Sequence, residues 1–465
     1  MSIKREINRA VKRIAALNRN TMPKTSAEQD RIVLDVEETL GNSTFDFNNA
    51  TSVMLNQDGK KRLVKRYADL YSPESILCQS IKQILDRVFK VRYPNRNKIS
   101  HNLFAILPAT IQMVDFTIIK FDFKDYFNSI SSIYVFEKYL RSSLLDRRES
   151  DLIKTFVYST RRAYAGLCTS NTIAEIIATF FDKAIRQKFA LNGVIYYERY
   201  IDDCVLVLNE YMEEPEVRSL LNAILLEVFY DKSPKCLPCK TRFNWEKFQY
   251  VSKRKVLSQK CSLDFLGYEF WFDSKQVHGK AKEITIRYGI TPAKQKKYRD
   301  RLDGLIFSYT NQSSPDCGKI ELLRHRIAAF SSREVYLTKH FSTSVWRVKG
   351  FISNYGELRY LLDTGLIEPD TEKFLKNAIE NAFERAGISK PYFLTGGGKT
   401  CCGYNLYENM KSNKTILLVN HIGYDYNSLV TLCKQIGINN IDASGVRRGY
   451  GTLVRDYLIK VCVGY

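Results

Sequence analysis

The sequence predicts an α+β fold in which an antiparallel sheet is backed by helices. Three observations carry this. Residues 116–123 (FTIIKFDF) and 194–208 (VIYYERYIDDCVLVL) are rich in β-branched and aromatic residues, as strands are. The second run is interrupted by Asp202 and Asp203, which predicts two strands joined by a tight turn. On either side, several segments repeat apolar residues at helical spacing.

The elements follow in order. Residues 1–20 read as a basic amphipathic helix with Ile7, Val11, Ile14 and Leu17 on one side. They lack the apolar block and small-residue cleavage site of a secretory signal. The rest of the first 60 residues is polar, with weak periodicity over 32–40. Residues 60–66 (KKRLVKR) are strongly basic. A helix is predicted over 73–89 from Ile76, Leu77, Ile81, Ile84, Leu85 and Val88. A polar, basic turn region covers 91–101. A further helix is predicted from about Ser170, with Thr172 and Glu175 at capping-box spacing and Ile173, Ile176, Ile177, Phe180, Phe181 and Ile185 on its apolar face. Strands are expected over 262–272 and 283–287, then helices over 293–306, 319–330 and 344–361. Gly396–Gly398 and residues 411–465 suggest a separate C-terminal subdomain.

Composition narrows the function. The 465 residues hold 71 Lys plus Arg against 50 Asp plus Glu, a formal charge of +21. That balance favours a polyanionic partner, nucleic acid above all. A hydrophobic content of 45% excludes disorder. No apolar run approaches the ~18 residues of a membrane span, so no membrane partner is expected. Eleven scattered cysteines, an odd number, fit reduced thiols and a cytoplasmic location. Five widely spaced histidines argue against a His-based zinc enzyme.

Three carboxylates stand out because they interrupt apolar strands: Asp122, Asp202 and Asp203. A carboxylate in a buried strand costs several kcal/mol unless it is paired or bound to metal. Hard oxygen ligands select Mg²⁺ or Mn²⁺. Two such ions can stabilise the attacking and leaving oxygens of a phosphoryl transfer.

In this context Tyr200-Ile201-Asp202-Asp203 resembles the YxDD box of reverse transcriptases. Asp122 through Ile130, with the aromatic Phe127 five positions after the Asp, resembles their first palm motif. Gly166-Leu167-Cys168 and Ser170-Asn171 up to Glu175 resemble the middle motif. Lys240-Thr241, 37 residues after Asp203, resembles the next, and Phe265-Leu266-Gly267-Tyr268 resembles the primer-grip hairpin. The five motifs stand in the family's order, across roughly residues 60–361.

The resemblance implies a right-hand polymerase fold. Residues 1–110 would hold an N-terminal extension and fingers, 111–290 the palm, 291–366 a helical thumb, and 367–465 a subdomain that binds RNA or a partner. It implies an RNA-directed DNA polymerase with two Mg²⁺ ions (Mn²⁺ as a substitute) on Asp122, Asp202, Asp203 and the Phe123 carbonyl. Lys240 matches the lysine that protonates pyrophosphate. Arg96 and Lys98 match the fingers positions gripping the triphosphate, and Phe127 matches the gate that excludes a ribose 2′-hydroxyl. Ser170, Asn171 and Tyr200 would lie near the incoming deoxynucleotide. Phe265, Leu266 and Gly267 would grip the primer, and Lys294, Lys296, Lys297, Arg299 and Arg301 would track the nucleic-acid backbone.

The plan resembles the defence-associated and abortive-infection reverse transcriptases of bacteria, including two-polymerase type-3 systems. That implies antiphage DNA synthesis with a non-coding RNA, and a second reverse transcriptase subunit or a second copy of the chain as partner. The middle motif departs from the family: Gly166-Leu167-Cys168-Thr169-Ser170 is short and lacks the usual Gln-Gly. Two alternatives therefore stay open. One is template-independent or protein-primed synthesis of simple-sequence DNA, for which Tyr465 is a candidate primer. The other is a catalytically idle RNA-binding scaffold. Cys236 and Cys239 have zinc-knuckle spacing without a second pair, and read as structural thiols. Gly396-Gly397-Gly398-Lys399-Thr400 lacks the spacing of a phosphate loop. Arg447 and Arg448 face either RNA or water.

Overall fold

The computed structural model describes residues 3–17, 25–57, 60–230, 237–277, 281–311, 317–340, 343–395 and 404–461. Cys236, the 396–400 glycine stretch and Tyr465 lie outside them. The chain is mixed α+β with several antiparallel sheets. It divides into two compact units, Met1–Ser258 and Gln259–Tyr465.

The first unit opens with α1 (Ile3–Leu17) and α2 (Ser26–Gly41). Ile7, Val11 and Ile14 of α1 are buried, as the amphipathic pattern requires. Thr25 and Glu28 form a reciprocal capping box at the start of α2. The basic run becomes β2 (Lys60–Arg66), paired with β1 (Thr51–Gln57) in a two-stranded ribbon. Two helices follow, α3 (Pro73–Val88) and α4 (Arg96–Thr110). Ser72 caps α3, Pro73 sits in its first turn, and Ile76, Leu77, Ile81, Ile84 and Leu85 are fully buried along one face.

The central strand is β3 (Thr117–Lys124), followed by α5 (Tyr126–Ser129), α6 (Ser132–Val135) and α7 (Arg147–Thr160). Helix α8 (Cys168–Lys188) leads into β4 (Val194–Tyr200) and β5 (Asp203–Leu208), then α9 (Glu214–Phe229), β6 (Arg242–Phe243), β7 (Gln249–Ser252) and α10 (Lys253–Ser258). The sheet runs β4-β5-β3-β6, with β7 also paired to β3, and the pairings are antiparallel. One apolar cluster runs from Ile7 to Phe243, so the N-terminal helices share the core of this sheet.

Helix α8 starts two residues earlier than the sequence pattern indicates, and Leu167 makes no side-chain cap. The expected capping box is not formed. Thr172 lies inside the helix with its hydroxyl on Asp86 and Tyr93, and Glu175 pairs with Arg199.

The second unit holds β8 (Cys261–Phe265), β9 (Tyr268–Val277) and β10 (Ala281–Ile290) in an antiparallel sheet. Helices α11 (Pro292–Thr310) and α12 (Cys317–Ser331) match expectation. The helix predicted over 344–361 is not there. Residues 343–349 form β12 (Thr343–Lys349), paired with β11 (Arg333–His340). Gly350, at φ 108°, then turns the chain into the short α13 (Phe351–Asn354) and a 3₁₀ turn. Val345, Trp346 and Val348 favour a strand, and their spacing does not distinguish the two states. Helix α14 (Pro369–Arg385) packs on α11. Strand β13 (Thr415–Leu418) adds to β11 in parallel. The helices Tyr426–Gln435 and Tyr450–Val461 cover this sheet through Leu429, Cys433, Leu453, Val454 and Tyr457.

Candidate active site

The sheet of the first unit brings the three carboxylates together. β3 and β5 pair antiparallel in a register that sets Asp122 opposite Asp203. Strands β4 and β5 are joined by a two-residue turn, Ile201-Asp202, closed by the Tyr200–Asp203 pair. The turn is pinned to β3 where the Phe123 amide donates to the Asp202 carbonyl at 3.3 Å. The Phe123 ring is buried among Tyr126, Phe181, Phe229 and Phe243, which fixes the end of β3.

Asp122 is 1% exposed, and its Oδ1 has no hydrogen-bond partner. Its Oδ2 accepts from the ammonium of Lys247. Lys120, buried two residues before Asp122 on the same face of β3, has its Nζ 3.8 Å from Asp203 Oδ1. Burial pushes the Asp203 carboxyl up to about 6, and Asp202 and Asp122 raise it while Lys120 and Lys247 lower it. The Lys247 ammonium is held above its usual range by its bond to Asp122 and by the charges of Asp203 and Asp202, which outweigh desolvation.

Among the described residues no three His, Cys, Asp or Glu side chains converge closely enough to ligate one ion in common. The donor set still suits a hard divalent cation. It offers carboxylate oxygens, one buried oxygen without a partner, and acidic groups whose mutual repulsion a cation would relieve.

The other predicted residues fall at different places. Lys240 is exposed, and what the fold uses is its amide, which donates to the Ser129 carbonyl at 2.7 Å. Besides Lys120, the lysine on the carboxylates is Lys247. It stands in a short turn between β6 and β7, both paired to β3, and the Asn244 amide anchors that turn on the Asp122 carbonyl at 2.9 Å. Phe127 is half-buried beside Tyr126 and keeps part of its ring open, whereas Tyr126 is enclosed. Tyr200 is half-buried at the end of β4.

Ser170 is buried, and its hydroxyl donates to the Tyr164 carbonyl at 2.5 Å, closing the middle-motif loop. The side chain of Asn171 has an enclosed Oδ1 with no partner. That loop rests on the basic ribbon. The Lys65 amide donates to the Ala165 carbonyl at 2.8 Å, the Lys65 ammonium lies over the Tyr164 ring, and Gly166 (φ 98°) lies against the Lys65 carbonyl. Arg96 and Lys98 stand in the first turn of α4, which packs against β4.

In the second unit, Leu266 and Gly267 form the two-residue turn between β8 and β9, with φ of 53° and 84°, while Phe265 is buried at the end of β8. Lys294, Lys296 and Arg299 are exposed on α11, and Lys297 and Arg301 are half-buried. The basic face is mixed: Lys296 pairs with Asp300 at 2.8 Å.

The sequence reading missed Lys120, Lys247 and Arg199. Lys120 had a local signal, since it shares a strand face with Asp122. No protein-family model matches the chain, and no curated protein matches it either. No described helix is long and apolar enough to cross a membrane.

Proposed function

We propose that the chain is a metal-dependent DNA polymerase of the reverse-transcriptase type, built on a right-hand plan with the β3–β5 sheet as palm. The observation that carries this is the Asp122–Asp203 register, with Asp202 in the adjoining two-residue turn. Asp122, Asp202 and Asp203 are the residues that would hold Mg²⁺. When bound, the ions supply activation of a primer 3′-hydroxyl and neutralisation of the leaving pyrophosphate.

The chain's own groups do the rest. Lys247 and Lys120 bring positive charge to the carboxylates, where a nucleotide's phosphate oxygens would need it. The open part of the Phe127 ring would be the group that senses a sugar. The resemblance to defence-associated enzymes extends the proposal to antiphage DNA synthesis with a non-coding RNA.

A second reading, synthesis without an ordinary template, is favoured by the short middle loop. It is held down on the β1–β2 ribbon by Lys65, in place of the longer loop that packs on a template base in relatives.

The test is to purify the protein with its co-purifying RNA, supply labelled deoxynucleotides and Mg²⁺, and sequence any product, with D202A/D203A as control. Carboxylate-dependent DNA copied from RNA is the expected result. Carboxylate-dependent simple-repeat DNA that survives RNase pretreatment selects the second reading. A biological phenotype left intact by D202A/D203A would refute both and leave the scaffold.

A further inference from the structure

Ile201, at φ 61°, is a β-branched residue in the left-handed region, a conformation that costs on the order of 1–3 kcal/mol and persists only where its surroundings enforce it. Two-residue hairpin turns usually place Gly or Asn at such positions. Contacts outside the turn must therefore hold it: the Ile201 side chain packs against the apolar core, the Phe123 amide binds the Asp202 carbonyl, and the Ile201 carbonyl itself accepts from Arg199.

Arg199 is 6% exposed. Its Nη1 donates to the Ile201 carbonyl at 2.9 Å and to Glu175 Oε1 at 3.1 Å. Nη2 donates to Glu175 Oε2 at 2.8 Å and to Asp182 Oδ2 at 3.0 Å, and Nε donates to Asp182 Oδ1 at 3.0 Å. Five N–H groups meet five acceptors, which is the whole capacity of a guanidinium. Glu175 is 2% exposed. Asp182 lies seven residues further along the same side of α8 and also accepts from the Tyr197 hydroxyl at 2.7 Å.

A buried network of this kind adds little stability over apolar packing, and its best-supported use is to fix one geometry. Here the geometry fixed is that of the Ile201-Asp202 turn relative to α8.

Resting on the polymerase reading, we propose that Arg199 is a positioning residue. It holds the strained turn through the Ile201 carbonyl, and so sets where Asp202 and Asp203 stand opposite Asp122. Lysine at 199 keeps the charge but has no planar fork, so it cannot reach both carboxylates and the carbonyl together. Glycine at 201 removes the strain that makes the brace necessary.

The experiment compares the full-length wild type with R199K, I201G, R199K/I201G and D203N. It measures deoxynucleotide incorporation and amide hydrogen exchange of the hairpin. The expected result for R199K is a kcat lowered on the order of 10–100-fold, because small misplacements of reacting groups have effects of that size, with the nucleotide KM within about threefold. Amides 202–204 should lose protection while 117–121 in β3 keep theirs. Adding I201G should restore most of both losses, which an arginine serving only the core beneath the sheet would not allow.

The proposal is overturned if R199K keeps both kcat and hairpin protection, or if I201G restores neither. Should R199K fail to fold, E175Q, which removes one anchor of the arginine, is read in the same way. The polymerase reading fails separately, if D203N incorporates nucleotide as well as the wild type. The exchange measurement still tests the brace in that case.

Discussion

On the proposed reading, the raised carboxyl of Asp203 would make metal binding depend on pH in a range where an ordinary aspartate would not. Four groups face it: Lys120 and Asp122 from β3, Asp202 from the turn, and Lys247 from the turn before β7. With its pKa at about 6 in the folded chain, Asp203 is protonated in about ten of eleven molecules at pH 5.0 and almost fully ionised at pH 7.5. A proton and a cation compete for the same oxygens. The apparent Mn²⁺ affinity should therefore fall about elevenfold between pH 7.5 and pH 5.0. At its ordinary value of 3.8 the same group would lose only about 6% of its ionised form. The assay is the free Mn²⁺ signal by electron paramagnetic resonance, titrated against wild type and D203N.

Stability gives an independent reading with a definite sign. The folded pKa lies above the unfolded one, so the native state binds the extra proton. Its contribution is complete below the ordinary value of 3.8 and is lost as pH rises through about 6. In EDTA, the melting temperature of the wild type relative to D203N should fall over that window. A metal affinity that is flat from pH 7.5 to 5.0, or a midpoint near 4 in both measurements, would refute the reasoning.

Three further outcomes follow from other contacts. K247Q should lower single-turnover incorporation by roughly tenfold or more, because it removes the ammonium on Asp122, whereas K240Q should stay within about threefold. Equal losses in the two variants would return the role to Lys240. G166A should destabilise the first unit by about 1–3 kcal/mol, lowering its melting temperature by several degrees, since the new methyl would lie 2.5 Å from the Lys65 carbonyl and φ is 98°. An unchanged melt would mean the loop lifts off the ribbon freely. Cys78 and Cys168 have sulfurs 3.4 Å apart at the start of α8. Mild oxidation with diamide should join them, seen as a crosslinked peptide in a digest and absent in C168S, and recovery of both thiols unmodified would contradict this.

How much of this was legible in the sequence depends on how far each contact reaches along the chain. The helix over 73–88 was readable because its apolar residues repeat locally. The carboxylates were readable because an Asp inside an apolar strand is conspicuous by itself. Residues 343–349 were misread because Val345, Trp346 and Val348 satisfy a helical spacing and a strand composition at once. What decides between them is pairing with β11 and the break at Gly350, a tertiary matter.

The lysines separate along the same line. Lys240 follows the local pattern of the family the chain resembles, yet its side chain is exposed and its amide is what binds the Ser129 carbonyl. Lys247 reaches Asp122 across 125 residues of chain, because β6 and β7 both pair with β3 and hold the turn between them over the carboxylate. Arg199 lay in plain view beside the YIDD box, but its significance required three facts that no window of sequence contains. Ile201 is left-handed, Glu175 and Asp182 share one side of α8, and that helix lies beneath the hairpin. A local motif thus locates the three carboxylates, while the cations beside them and the arginine bound to their turn are supplied by topology.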